Sequence, residues 1–261
     1  MNRFAFLLVI LSWSLGSSGS EARPLEAAQA LFQQRCTSAG ERIYKTVKDV
    51  EGVFLVKLRP SVINYSDQFR LDDPYGRDYL GEGYIKGFLK AHHELRAEAA
   101  RLKGYAFTPR EQVGYAFVEA DNPSDGKRHR YTAIIEQPGK TDPQYFEDYL
   151  RVVMKSHPSS DEPPRYGVIF EDISTTKDRQ YWIAGSSLKV VDLLTKEVIA
   201  ERIGYMIDPG QGNRGSGGGR SPWLIAAHHA CPAFKGPNPA SPQGGQTAIF
   251  VEKVLRPSSK P

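Results

Sequence analysis

The apolar positions of this chain change their period several times. Leu25, Ala28, Phe32 and Cys36 recur along one face of a helix predicted over residues 24–39, which opens with Pro24 in its first turn and stops at Gly40. Short strand-like segments follow at 42–47 and 53–58, with Glu51-Gly52 as turn residues and Arg59-Pro60 closing the second. Ile85, Phe88, Leu89, His92, Leu95, Ala99 and Leu102 then recur at helical spacing up to Gly104. Beyond Gly104 the period shortens. Segments 113–119 and 128–136 flank DNPSDGK, a hairpin connection. Residues 145–155 fit either a strand or a short helix. Residues 166–173, 180–184, 188–192 and 198–207 read as successive strands, and LLTKE turns the last pair into a hairpin. Residues 247–254, TAIFVEKV, read as a final strand, and residues 221–232, SPWLIAAHHACP, as a short helix with Ser221 as its N-cap and Pro232 as its stop. Hairpin-length spacings with few strand–helix–strand alternations predict an α+β fold: a mainly antiparallel β-sheet with two or three packed helices in a single domain.

The first residues alter how much of the chain takes part in that fold. Arg3 precedes an apolar run, FAFLLVILSWSL, and the small residues GSSGSEA follow it. This is the plan of a secretory signal over residues 1–22, too short an apolar run for a membrane span. A bacterial lipoprotein needs a cysteine directly after such a segment, whereas the first cysteine here is Cys36. Residues 23–261 are therefore expected to form one exported β-rich domain. The 18 prolines and 24 glycines suit many turns. The formal net charge of +4 is mild, and no Lys/Arg stripe is present to track nucleic acid.

The two cysteines, Cys36 and Cys231, either pair or remain as buried thiols. In an exported chain a disulfide is the simpler expectation. It would close a loop of nearly the whole mature chain, for which chain entropy gives roughly 5 kcal/mol.

Candidate chemistry is sparse. His228 and His229 on a helix would point about 100° apart and could not share a metal without ligands from elsewhere. Cys231 could act as a nucleophile only as a free thiolate. His93-Glu94 begins an HExxH pattern, but Ala97 stands where the second histidine belongs. Neither Ser186 nor Ser216 sits in a nucleophile elbow, and the glycine-rich stretch is not a Walker A loop. No catalytic residue, metal ligand or cofactor is assigned.

Two loops stand out instead. Residues 209–221, PGQGNRGSGGGRS, with Arg214 and Arg220, form either an anion-presenting backbone or a hairpin tip. Residues 65–83 interleave Tyr65, Tyr75 and Tyr79 with Asp72, Asp73, Arg77 and Asp78. Tyrosine and arginine are enriched at interfaces, so this stretch is either a partner-binding surface or a loop packing its own tyrosines. DDPYGRD lacks the alternating ligands of a calcium-binding EF-hand.

The leader, the α+β domain without a lipid-anchor cysteine, and the strand-rich stretches RYGVIFEDIS and SSLKVVDLLTKEVIAERIGYMID resemble the periplasmic immunity proteins of Gram-negative bacteria, in particular those guarding against type VI secretion phospholipase effectors. The resemblance implies periplasmic residence, a secreted lipolytic toxin as partner, no cofactor, and inhibition by steric cover of the toxin's active site. Residues 65–83 or 210–220 would be the inserted element. The rival expectation from another class is a periplasmic hydrolase or metal-dependent enzyme using the histidine doublets. A third is a small-ligand binder or an envelope structural protein.

Overall fold

Four residues, Gly52-Val53-Phe54-Leu55, lie at the centre of the molecule, with strands on both sides. In a computed structural model the described residues are 25–62, 69, 78–95, 112–212, 223, 226–234 and 243–258. The expected leader over 1–22, together with Tyr65, Asp72, Asp73, Tyr75, Arg77, Arg214 and Arg220, lies outside them.

The chain begins with α1 (Leu25–Cys36), β1 (Gly40–Ile43), β2 (Val47–Val50) and the central β3 (Gly52–Leu55). Helix α2 (Gly81–Lys86) and helical residues 90–95, here α3, lead to β4 (Phe117–Asp121), β5 (Arg128–Glu136) and β6 (Arg151–Pro158). Then come β7 (Tyr166–Asp172), α4 (Thr176–Gln180), β8 (Ile183–Asp192) and β9 (Glu197–Ile207). The last elements are β10 (Ala230–Cys231), α5 (Gln246–Val254) and β11 (Leu255–Pro257).

One large mixed sheet runs β1-β9-β8-β7-β3-β4-β5-β6, with β10 also paired to β9. The α+β expectation holds. Most pairings are antiparallel, but β3 is parallel to both β4 and β7, and β11 pairs in parallel with β2. A parallel neighbour requires a crossover, and the chain between β3 and β4 supplies one that carries α2 and α3. Val53 and Leu55 are buried, as a strand enclosed by the sheet requires.

Strands β8 and β9 show how the period of two divides the interior. Ala184, Leu188, Val190 and Ala200 face one side with Phe170, Phe250 and Val251 nearby in buried clusters. Ile183, Tyr205 and Ile207 face the other side and receive Ala28 and Leu31 of α1. Helices α1 and α5 therefore cover opposite faces of the same two strands. Helix α1 is further tied by Arg35, whose Nε donates to Asp178 Oδ1 at 2.8 Å. Its last residue, Cys36, is disulfide-bonded to Cys231 of β10, with the Cα atoms 5.7 Å apart. The expected pairing is present. Among the described residues, no helix is long and apolar enough to cross a membrane.

Four elements differ from the sequence expectation. Residues 247–254 are helical, not a strand. Thr247, Phe250, Val251 and Val254 are buried at i, i+3, i+4 and i+7, and this helical spacing overrides the β-branched composition. The stretch 221–232 is not a helix of ten residues. Trp223 has a positive φ, Ala226–His228 is a 3₁₀ turn, and Ala230 and Cys231 pair with Met206 and Tyr205 of β9. The open edge of β9 and the disulfide pull this segment into the sheet. The helix expected from Ile85 onward is interrupted at Gly87–Leu89, where Tyr115 N donates to Phe88 O at 2.7 Å and Lys90 N to Tyr115 O at 2.9 Å. Finally, the strand expected over 180–184 merges with the next as β8, and α4 forms just before it. Thr175 and Asp178 make a reciprocal capping box there.

Candidate functional site

The first tyrosine/acid loop delivers its last acid to the interior. Asp78 is 5 % exposed. Its Oδ1 accepts from Tyr79 N at 2.8 Å and Gly245 N at 2.5 Å, and its Oδ2 from Thr247 N at 2.9 Å and Thr247 Oγ1 at 2.6 Å. Gly245 is the N-cap of α5 in the left-handed region, φ 76°, and offers no side chain of its own. A carboxylate from elsewhere in the chain takes over the cap. Tyr79, the other described member of that loop, packs partly buried against the main core, its ring 6.0 Å from that of His92.

Asp78 also belongs to a cleft between the start of α5 and the face of β8 and β9. Arg59 reaches it from beyond β3, Ser186 and Leu188 from β8, Arg202 from β9, and Gln246 and Thr247 from α5. The cleft's empty space, the open solvent at its mouth included, is about 280 Å³. Arg59 is buried, donates from Nη2 to Thr247 Oγ1 at 3.1 Å, and lies 4.6 Å from the centre of the Phe170 ring. Thr247 therefore relays between guanidinium and carboxylate, accepting from Arg59 and donating to Asp78. Arg202 is 7 % exposed and lies over Phe234, 5.2 Å from the ring centre. Two guanidiniums and the Asp78 carboxylate thus line a partly apolar cleft, with Glu41 3.9 Å from Arg202 Nε.

The histidine doublets part company. His228 and His229 are both exposed, beside the 3₁₀ turn and β10. His92 and His93 sit on α3 under partial cover, with His93 Nε2 3.0 Å from Gly87 O and 4.0 Å from Glu252 Oε1. Glu252 accepts from Val113 N at 3.3 Å, and burial pushes its carboxyl up to about 7. Among the described residues, no three His, Cys, Asp or Glu side chains gather as a metal-holding group. Cys231 is in the disulfide and is no thiolate.

A further surface escaped sequence reasoning. The connection between β5 and β6 carries Tyr145, Phe146 and Tyr149, all exposed, with Phe146 at 83 %. Ile134 and Ile135, near the end of β5, are exposed as well. Tyr145 and Tyr149 stack with ring centres 5.5 Å apart and planes at 7°. Arg151 lies 5.9 Å from the Tyr145 ring centre and pairs with Glu136 at 3.0 Å. The connection is internally tied: Thr141 N donates to Pro138 O, Tyr145 N to Asp142 O, Tyr149 N to Phe146 O, and Gln137 Nε2 to Glu147 O at 2.7 Å. At the opposite end of the β5–β6 hairpin, buried Glu119 accepts from Arg130 Nε at 2.8 Å and Ser159 Oγ at 3.1 Å. The signal in the sequence was QYFEDYL, three aromatics in five positions interleaved with two acids. No protein-family model, no curated protein and no solved structure matches this chain.

Proposed function

We propose that this chain is an exported binding protein that neutralises a secreted toxin of lipolytic type by seating the β5–β6 tip in the toxin's active-site cleft. The observation that carries the reading is the exposed aromatic cluster of Tyr145, Phe146 and Tyr149 on an internally hydrogen-bonded turn. An isolated aromatic on a surface is ordinary, whereas three in one turn, two of them stacked beside an arginine, have the composition of an interface centre. Because the turn is tied by its own backbone, little freedom is lost on docking. A lipid hydrolase must offer an apolar groove to an acyl chain, and a protruding phenylalanine flanked by stacked tyrosines is complementary to such a groove.

The leader expected over residues 1–22 would place the protein in the periplasm, where it would guard the producer's own envelope. The Cys36–Cys231 disulfide suits that oxidising compartment. Tyr65, Asp72, Asp73, Tyr75, Arg77, Arg214 and Arg220 remain the candidates that the sequence offers for partner contact. The test is capture from the native envelope fraction with tagged mature protein, with the Phe146→Ala variant in parallel. A stoichiometric lipid hydrolase retained by the wild type and lost from the variant is expected. A hydrolase retained equally by both, or none at all, removes the basis for the reading.

A further inference from the structure

We propose that the cleft between α5 and strands β8 and β9 binds a small oxyanion, a carboxylate or phosphate group, held by Arg202 and Ser186. The starting point is Arg202. Its side chain is 8 % exposed, yet its buried Nε makes no hydrogen bond among the described residues. The nearest carboxylate, Glu41, stands 3.9 Å from Nε, and its other oxygen takes Lys253 Nζ at 2.7 Å. A buried N–H without a hydrogen-bonded partner is costly, and native proteins rarely keep one without a ligand or solvent to complete it.

The surroundings select the ligand's charge. Asp78 is occupied by Gly245, Thr247 and, through the Thr247 hydroxyl, by Arg59. Its charge is thus answered before any ligand arrives, and Arg202 remains as the cation facing the space. Arg202 and Leu188 are directly opposed in the β8–β9 register, and Ser186 lies two residues from Leu188 on the same face. A hydroxyl donor and an apolar wall therefore flank the guanidinium. The wall lowers the local dielectric and strengthens a charge-assisted bond to an oxyanion. The space is far smaller than the ~300–1,000 Å³ of pockets that take drug-sized molecules, which restricts the ligand to a small group reaching in from the open side. The first turn of α5 is not the donor, because Asp78 already takes its amide groups.

Arginine Nε–Hε resonances of the full mature protein, followed by NMR during titration with inorganic phosphate and, separately, sodium acetate, test the proposal. Sodium chloride at matched ionic strength is the control. The Arg202 resonance is expected to shift saturably with one of the two anions, which identifies the ligand as phosphate or carboxylate in type. Affinity, read from the Arg59 resonance of the same cleft where Arg202 is replaced, should fall about tenfold or more in Arg202→Lys and severalfold in Ser186→Ala, the latter serving if the lysine variant fails to fold. Shifts that grow linearly and match the chloride control overturn the proposal, as does saturation that neither variant weakens. The site is independent of the β5–β6 tip, so Phe146→Ala should leave the titration unchanged.

Discussion

Asp78 and Thr247, 169 positions apart in the chain, share two hydrogen bonds that fix the start of α5 against the loop before α2. The helix has no side-chain cap of its own, so its N-terminus depends on this distant acid. The same contact gathers Arg59 over Phe170 and closes one end of the cleft.

Replacing Asp78 by alanine should therefore destabilise the protein by about 3 kcal/mol, since it strands buried amide donors and removes the anion facing Arg59. Asp78→Asn keeps an acceptor oxygen and should lose roughly half as much. Urea denaturation measures both. Equal stability of the alanine variant would show that the cap is dispensable.

The disulfide supports α1 in a comparable way. Reduction, or the paired change of Cys36 and Cys231 to serine, should lower stability by about 3–5 kcal/mol. Protease sensitivity should rise first in residues 25–36, because Ala28 and Leu31 are the buried residues of α1. Thermal melts with and without reductant, combined with mapping of the first cleavage, provide the check. A first cut in the β5–β6 turn would contradict this order of loosening.

Glu252 should give stability a pH dependence of defined sign. Desolvation raises its carboxyl to about 7 in the folded protein, above the ordinary 4.5. The folded state then holds a proton that the unfolded chain has already lost. The stability from this group is fully present below about pH 4.5, declines as pH rises, and is lost above about pH 7, a span on the order of 3 kcal/mol. Glu252→Gln should flatten that decline while keeping an acceptor for Val113 N. A series of denaturation curves from pH 5 to 8 tests it, and an unchanged slope in the glutamine variant removes Glu252 as the cause.

Phe146→Ala should leave folding stability within about 0.5 kcal/mol, since the ring is 83 % exposed. A melting temperature matching the wild type is expected. A large drop would mean that the ring supports the fold rather than serving as a contact surface.

The segments at 128–136, 166–173 and 198–207 were readable because their β-branched and aromatic residues and flanking turns mark strands, whether one face is buried or, as in β9, both. The DNPSDGK hairpin and the first helix were readable for the same local reason. Helix α5 was misread because TAIFVEKV is rich in β-branched residues and its cap, Asp78, comes from far along the chain. The 221–232 stretch carries good local helix signals, but the free edge of β9 and the bond to Cys36 decide its conformation. The Thr175/Asp178 capping box was present in the sequence and would have revealed α4. Arg202 could not have been singled out, because its burial follows from the β9 register and from α5 lying over that face. The aromatic tip was hidden by its spacing, since Tyr145, Phe146 and Tyr149 at i, i+1 and i+4 also suit a buried helix face.

The most direct test of toxin neutralisation by the β5–β6 tip is an inhibition titration of the lipid hydrolase captured from the native envelope, using wild-type protein and a Phe146→Ala/Tyr149→Ala variant. Stoichiometric inhibition by the wild type is expected, with potency weakened about a hundredfold in the folded variant, as loss of interface-centre aromatics entails. Full hydrolase activity in the presence of excess wild-type protein, or equal inhibition by the two proteins, would contradict the account.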